Sequence, residues 1–574
     1  MLCIFFGLVF IGKYGSIHIE PIDMGIVKRI LHPEYPQGGI SYDPNFHYNY
    51  IVASVAKVFD FEADSLRLAA IFWFIEQALT VSALLLLCNF LFKGDRLTLV
   101  LVVFMYLALK SGETDQKTML RPLHLLAIYY FLKERWVFSA IFTASIFYLH
   151  IGVAMWWFVP SCFALGIMYL FKNKQVTIIQ IAKYAITVLL LAAPILYFYM
   201  EVTQQPFANG DFVARYLYGI NNSVLLNLIY NPQELYTSLI MIGLFTVGYR
   251  KCKKLNGCND SIIPIALGVL SLYVLNFVLV DVMFNETAIK LQLLRSKLNV
   301  ELFASLFFAF LIAMQLRKGN IVFFVILLIL LIPNPFWLFY SVVDRWDALY
   351  VFYAVVVIYE IFERPIGVAR QKLSALLGKK SLPQSTMSVS RIHNFFQSPV
   401  NLVGFFVILY ALLISLSPIK PYVKSVLGIK PKTSMSKNES LLQDISRFTN
   451  EKIKGDEVLL VIPFEAVDFI YYTNHRYFIH NSTPIYAESI NQSEYVLNFQ
   501  YIFENDLNYS IEKLRSGGSW DEIWRSIDEK LIRKWRKEYG ITHVIRENEL
   551  SLNFPVVYQN EYYKVYDLRL LSNS

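Results

Sequence analysis

Long uninterrupted runs of apolar residues, rather than an alternating pattern, dominate the first three quarters of this chain. A run of about 20 apolar residues crosses a bilayer as an α-helix, whereas the strands of a β-barrel alternate apolar and polar positions. The pattern therefore predicts a polytopic α-helical membrane protein with about 13 transmembrane helices, of which Met1–Gly12 is the remainder of the first. The other predicted spans lie near residues 67–92, 97–110, 119–132, 136–149, 151–171, 177–200, 235–249, 262–284, 299–316, 320–341, 346–362 and 399–417.

The overall composition agrees with this pattern. Of the 574 residues, 56% are hydrophobic and only 17% are charged, and the mean hydropathy is +0.45. Because a soluble protein of this size carries about 25% charged residues, an ordinary soluble enzyme and a disordered chain are both excluded. The net charge of +8 lies mainly in loops, so we interpret it as a topology signal and expect no nucleic-acid partner.

The charges of the loops predict the orientation in the membrane. With a cytoplasmic N-terminus, the inside loops and the linker 363–398 hold 18 basic residues against four acidic ones. The positive-inside rule favours this arrangement. We therefore expect the first loop, 13–66, to lie outside, together with the C-terminus and the loops 110–118, 201–234 and 285–298.

The last part of the chain has a different character from the transmembrane domain, which is expected to occupy 1–417. Residues 438–574 are richer in charge and predict an extracytoplasmic α/β domain. Its predicted elements are strands at 456–463, 476–479 and 542–545, a helix at 521–538, and a hairpin at 555–569. None of the five cysteines lies in this domain, so no disulfide framework is expected there.

The first outer loop is dense in acidic and aromatic residues. Glu20 and Asp23 precede a stretch, Met24–Leu31, that predicts a short amphipathic helix on the membrane surface. A Pro- and Gly-rich turn follows and leads to Asp43. This much fixed structure points to a role beyond that of a connector, although an ordinary ordered outer loop is the alternative interpretation.

These residues resemble the membrane glycosyltransferases of the GT-C superfold, which use polyprenyl-phosphate sugars as donors. In that family an acid follows the first helix, and a second acid comes about 20 residues later; Asp23 and Asp43 occupy those places. The family commonly has Asp-Glu or Asp-Gln at the first site, where this chain has Asp23-Met24, and Glu20 is a nearby substitute. The resemblance implies that Asp23, Asp43 and Glu20 are the catalytic carboxylates, and that Asp23 and Asp43 hold any divalent cation, such as Mg²⁺ or Mn²⁺.

Further motifs resemble a little-characterised bacterial branch of GT-C-like proteins. They are Arg121-Pro122-Leu123 at the start of a helix, Tyr148–Gly152 at the end of the next one, and Ile462–Glu465 in the C-terminal domain. This resemblance implies a location in the plasma (inner) membrane of a bacterium and a part in cell-envelope glycan synthesis.

The lipid phosphate that leaves in such a reaction develops negative charge, which basic groups at the outer membrane boundary would neutralise. We expect this role for Arg295, Lys297, Arg121 and His150, and we expect Glu113, Asp115 and Asp281 to line the same cavity. Structural roles compete with these assignments. The alternatives are headgroup anchoring for Arg295 and Lys297, a hydrogen bond to a carbonyl at the helix end for His150, and pairing with Glu113 or Asp115 for Arg121.

Three polar or aromatic features within the spans receive structural interpretations. Glu76 and Glu360 are expected to pair internally or to reach the interface, and Trp156 with Trp157 to anchor the protein at the lipid interface.

The favoured function is therefore the transfer of a sugar from a polyprenyl-(pyro)phosphate donor to a glycan, lipid or protein acceptor outside the membrane. Two alternatives remain open: a lipid-linked glycan polymerase or ligase, and a non-catalytic GT-C-like scaffold or a transporter. A transporter would show inverted repeats, and no convincing internal repeat is found in this sequence.

Overall fold

The computed structural model describes most of the predicted membrane helices and the last part of the chain. The described residues are 18–19, 27–28, 30–32, 47–63, 65–109, 113–114, 116–171, 176–203, 232–283, 293–318, 320–331, 349–362, 436–453, 458–461, 476–477, 525 and 527–571.

Apolar helices follow one another along the sequence, as the hydrophobic runs predict. Those that precede the C-terminal elements are α1 (His47–Phe59), α2 (Leu66–Leu91), α3 (Arg96–Leu109), α4 (Gln116–Leu132), α5 (Trp136–Leu149), α6 (Ile151–Leu170), α7 (Ile178–Thr203), α8 (Pro232–Asn256), α9 (Ile262–Asn276), α10 (Leu298–Arg317), α11 (Val322–Leu331) and α12 (Leu349–Phe362). Within the described ranges, five helical segments are long and apolar enough to cross a membrane: Leu66–Leu91, Ile151–Leu170, Ile178–Tyr197, Ile262–Val280 and Arg295–Arg317. The chain is therefore a polytopic helical membrane protein, while the count of about 13 spans stays a prediction because 1–12 and 399–417 lie outside the described residues.

Helix α10 lies at the centre of the bundle. It packs against α3 and α8, and most of its apolar length is buried by the rest of the protein. Two glycines allow close helix contacts: a Cβ on Gly248 of α8 would overlap the side chain of Phe307, and one on Gly268 of α9 would overlap the carbonyl of Pro160 in α6. Small residues thus bring these helices closer than any larger side chain would permit.

Contacts between loops show which helix ends share a side of the bundle. At the ends predicted to be cytoplasmic, Arg317 forms an ion pair with Asp95, and the Asn259 amide donates to the carbonyl of Leu132 at 3.0 Å. At the predicted outer ends, β1 (His18–Ile19) and β2 (Glu113–Thr114) form a parallel pair. The first loop and the loop 110–118 therefore lie on one side, as the predicted topology requires.

The first outer loop contains more helix than the sequence predicted. Residues 27–28 and 30–31 are helical, which agrees with the expected surface helix as far as the described residues reach. Helix α1 was not predicted. It presents Ile51, Val58 and Phe59 at its surface, more than half exposed, while Val52 and Ala56 pack inward. The proposed Pro- and Gly-rich turn lies in 33–44, outside the described residues.

The described residues of the C-terminal part form a five-stranded mixed sheet. Its strands are β3 (Val458–Val461), β4 (Arg476–Tyr477), β5 (His543–Glu547), β6 (Val556–Gln559) and β7 (Tyr563–Asp567), in the order β4-β3-β5-β7-β6. The predicted hairpin is the antiparallel pair β6–β7, and β3 runs parallel to both β4 and β5. An α/β arrangement is thus present, while the domain boundary and the extracytoplasmic location stay predictions.

In the described residues two helices accompany this sheet, one of them not predicted and the other with a different start. Helix α13 (Ser436–Lys452) was not predicted, and it contacts the hairpin through a hydrogen bond of 2.6 Å from the Tyr558 hydroxyl to Asp444. Helix α14 (Glu529–Tyr539) begins within the predicted range 521–538, because Asp528 caps it by accepting from the Leu531 N–H at 2.8 Å; residues 521–524 lie outside the described residues. An N-cap side chain of this kind fixes where a helix starts.

Candidate functional site

Helix α6 contains a proline that leaves one backbone carbonyl without its usual partner. In an α-helix, the carbonyl of residue i accepts from the N–H of residue i+4. For the carbonyl of Trp156 that position is Pro160, which has no N–H. The side-chain amide of Asn299, in the first turn of α10, donates to the Trp156 carbonyl at 2.9 Å. Asn299 therefore supplies the hydrogen bond that Pro160 cannot.

The Asn299 side chain also makes two further hydrogen bonds. Its Nδ2 donates to the carbonyl of Ser296 at 2.9 Å, and its Oδ1 lies 2.9 Å from Nε2 of His124 in α4. Both partners of Nδ2 are carbonyl oxygens, which only accept, so the orientation of the amide is fixed. Oδ1 must then accept from His124, and Nε2 of His124 carries a hydrogen. This one buried side chain joins α4, α6 and the residues before α10.

Arg295 lies in the 3₁₀ turn Leu293–Lys297, which leads directly into α10 at its predicted outer end. Its exposed guanidinium lies 5.5 Å from the centre of the Trp156 ring, within the range of a cation–π contact. In the part of the chain that the structure describes, no carboxylate forms an ion pair with Arg295. A guanidinium beside an indole, without a carboxylate partner among the described residues, is suited to an anionic group.

His150 lies between α5 and α6 and caps the second of these helices. Its Nδ1 accepts from the Val153 N–H at 3.4 Å, and its ring centre lies 6.2 Å from that of Trp156. The structure thus brings His150 and Arg295, two of the expected phosphate-binding residues, to the same indole ring. The structural alternative expected from the sequence was a hydrogen bond to a carbonyl, whereas in this cap the ring accepts from an N–H. Phosphate binding by His150 stays a prediction.

Arg121 has a different environment, on the exposed surface of α4 beside Tyr106 of α3. Thr80 of α2 lies beside the same tyrosine, and Glu76 is near enough to interact with it electrostatically. Glu76 is completely buried and accepts from the neighbouring Gln77 amide at 2.9 Å. The expected internal pairing of Glu76 is therefore confirmed. The observed neighbour of Arg121 in the described residues is Tyr106.

The other intramembrane acid, Glu360, is also held internally. Its carboxylate forms an ion pair of 2.8 Å with Lys251 and accepts a hydrogen bond from the Gln315 amide. This cluster lies at the predicted cytoplasmic ends of α8, α10 and α12, far along α10 from Arg295.

The remaining predicted site residues are only partly described. Lys297 ends the 3₁₀ turn and lies 3.9 Å from Glu301, four residues further on. Glu113 belongs to β2, and Asp281 belongs to the π-helical segment Phe277–Val282; of these two residues the structure describes the backbone alone. The acidic residues Glu20, Asp23, Asp43 and Asp115 lie outside the described residues. Among those that are described, no group of three metal-ligating side chains occurs.

The sequence-based interpretation of Trp156 and Trp157 as lipid anchors is wrong. Trp157 is fully buried, and Trp156 is 8% exposed, because both rings pack between helices rather than facing the bilayer. Trp157 packs against Phe131 and His124, and Trp156 against Arg295. Asn299 and His124 were missed as well. A proline within a membrane helix, which must borrow a donor from a neighbour, is the signal that points to such a residue.

Comparisons with known proteins add a likeness of fold. No protein-family model matches this chain, and no curated protein matches it. Among solved structures, the crystal structure of ArnT from Cupriavidus metallidurans bound to undecaprenyl phosphate is similar over 98% of this chain and 96% of the ArnT chain. The two sequences are 11% identical, and the TM-score is 0.48. At these values the likeness transfers neither a residue role nor an activity to this chain.

Proposed function

We propose that this protein is a membrane glycosyltransferase of the GT-C type, which moves a sugar from a polyprenyl-(pyro)phosphate donor to an acceptor on the outer side of the membrane. The observation that carries the proposal is the placement of Arg295. It is an exposed arginine at the predicted outer end of a membrane helix, within cation–π distance of an indole and without a carboxylate partner in the described part of the chain. This is where the phosphate of a lipid carrier would lie.

The chemistry assigns a separate task to each group. A first-loop carboxylate, Asp23 ahead of Asp43 and Glu20, takes the proton of the acceptor hydroxyl as its oxygen attacks the anomeric carbon of the sugar. The bond from that carbon to the phosphate oxygen breaks, and the polyprenyl (pyro)phosphate leaves with the bonding pair. Arg295, with Lys297, neutralises the charge that the leaving phosphate gains.

Binding of undecaprenyl phosphate to the purified protein in detergent tests this assignment. Arg295→Ala should weaken binding about 10–100-fold, because a hydrogen bond to a charged group contributes about 1.5–3 kcal/mol. Arg96→Ala is the matched control, since Arg96 is an exposed arginine at the predicted cytoplasmic end of α3. Equal losses in both variants would indicate general attraction to lipid, and the assignment of Arg295 would fail.

Transfer activity tests the catalytic carboxylates. Asp23→Asn removes the charge and keeps the shape, and the loss of a general base should lower the rate about 10²–10⁴-fold while donor binding remains. If Asp23→Asn and Asp43→Asn both retain full transfer, the catalytic role of these acids fails. Donor binding by wild-type protein without any transfer would instead favour the scaffold alternative.

A further inference from the structure

Asn299 is placed so that it joins three separate elements next to Arg295. Its amide bonds the carbonyl of Trp156 in α6, the carbonyl of Ser296 in the turn that carries Arg295, and the imidazole of His124 in α4. Asn299 is 1% exposed and Ser296 is fully buried, so water does not compete for these bonds. All the hydrogen-bonding capacity of the two amide protons is used.

The apolar surroundings make these bonds costly to lose. A buried backbone carbonyl without a donor is destabilising, and the carbonyl of Trp156 lacks its helical donor because of Pro160. The asparagine of α10 therefore stabilises α6 at the position where Pro160 removes a backbone hydrogen bond. This hydrogen bond fixes the position of α6 relative to the start of α10.

The relative position of α6 and the start of α10 also determines where Arg295 lies. Asn299 fixes the backbone of Trp156, while the Trp156 side chain carries the guanidinium of Arg295 at 5.5 Å. Through the carbonyl of Ser296, Asn299 also fixes the turn next to Arg295 itself. The Asn299 amide therefore fixes the position of both Trp156 and the turn that contains Arg295.

We propose that Asn299 is a positioning residue of the phosphate site. It holds Arg295 beside Trp156 by supplying the hydrogen bond that Pro160 cannot and by bonding the Leu293–Lys297 turn. This inference rests on the proposed function for the identity of the ligand. The positioning role itself is inferred from the contacts among Asn299, Trp156 and Arg295.

The test compares Asn299→Ala with Gln315→Ala in the full-length protein. Gln315 is a matched control because it is on the same helix, is also 1% exposed, and also makes side-chain hydrogen bonds, but at the opposite end of α10. Both variants should be less stable. Only Asn299→Ala should weaken undecaprenyl phosphate binding, by roughly tenfold for the loss of one oriented charged hydrogen bond.

The double variant separates positioning from general damage. If Asn299 acts through Arg295, Asn299→Ala should weaken binding no further once Arg295→Ala is present. Losses that add in the double variant, or an equal loss in Gln315→Ala, would overturn the inference. If Asn299→Ala fails to fold, His124→Leu and His124→Gln replace it, because the leucine removes only one of the three hydrogen bonds of Asn299 and the glutamine keeps a donor. Weaker binding of undecaprenyl phosphate is then expected in His124→Leu alone. Equal binding in the two His124 variants would overturn the inference.

Hydrogen–deuterium exchange provides a measurement that needs no ligand. The peptide over 293–297 should exchange faster in Asn299→Ala than in wild type or Gln315→Ala, because the turn loses a bond that holds its backbone. Unchanged exchange would overturn the positioning role. Faster exchange in a protein that does not bind undecaprenyl phosphate would keep the positioning role and remove the proposed function, so the two failures are distinguishable.

Discussion

Individual polar residues inside the bundle have partners that their sequence context did not reveal. Glu360 and Asn299 both lie in strongly apolar stretches, and each is joined to side chains from distant parts of the chain. Hydropathy predicts that such residues are buried, but it carries no information about which helix faces them. The same limit explains the error at Trp156, because a tryptophan near a helix end fits a lipid interface and a helix interface equally well.

The Lys251–Glu360 pair gives a prediction at this scale. Lys251→Met leaves a fully buried carboxylate without its cation and should destabilise the protein by about 3 kcal/mol. Adding Glu360→Gln should restore most of that loss, because the glutamine is neutral and still accepts from Gln315. Unfolding in detergent measures both. Lys254→Met, an exposed neighbour, should change stability by less than about 0.5 kcal/mol, and a similar loss there would contradict the explanation.

Secondary structure elements were predictable where a single sequence signal defines them. Helices α2, α5 and α6 begin and end within a residue or two of the predicted runs, and the β6–β7 hairpin lies within the predicted range 555–569. Elements defined by tertiary contacts were missed. The parallel pair β1–β2 has two residues in each strand, and no periodicity exists over so short a length.

The backbone hydrogen bond that Pro160 removes from α6 predicts an energetic coupling between α6 and α10. Pro160→Ala would supply an N–H to the Trp156 carbonyl, so the bond from Asn299 becomes less necessary. Asn299→Ala should therefore lower the free energy of unfolding by about 1 kcal/mol less in the Pro160→Ala background than in the wild type. The double-mutant cycle is measured by unfolding in detergent, and strictly additive losses would show that Asn299 does not substitute for the missing N–H.

The end of strand β7 gives a pH-dependent prediction. Burial alone would raise the pKa of Asp567, but hydrogen bonds from the Arg569 backbone and side chain, with the nearby charges of His543 and Arg569, hold that pKa below its usual value of 3.8. A lowered carboxylate pKa stabilises the fold above about pH 4, and this stabilisation is lost as the pH falls through the folded-state pKa. Asp567→Asn should thus lower the melting temperature at pH 7, and the difference from wild type should shrink below about pH 4. A difference that does not vary with pH would contradict this.

For the whole molecule, contacts between distant loops agree with the alternation that the charge pattern predicts. The ion pair of Asp95 with Arg317 and the hydrogen bond of Asn259 to Leu132 join loops assigned to the cytoplasm, and β1–β2 joins loops assigned to the outside. These contacts establish which loops share a side. The distribution of basic residues predicts which side is the cytoplasm.

Reporter fusions test the absolute orientation. Alkaline phosphatase, which is active only outside the cytoplasm, should be active when fused after Ser574 and inactive when fused after Phe362. The reverse pattern would place Arg295 at the cytoplasmic end of its helix and would remove it from an outward-facing site.

The position of the lipid phosphate is the central claim, and a cryo-EM map of the full-length protein with undecaprenyl phosphate in a nanodisc tests it most directly. We expect phosphate density within hydrogen-bond distance of the Arg295 guanidinium, above the Trp156 ring, with the first-loop acids of 20–43 facing the same cavity. Phosphate density at the opposite end of α10, or first-loop acids that face away from Arg295, would contradict the proposed site.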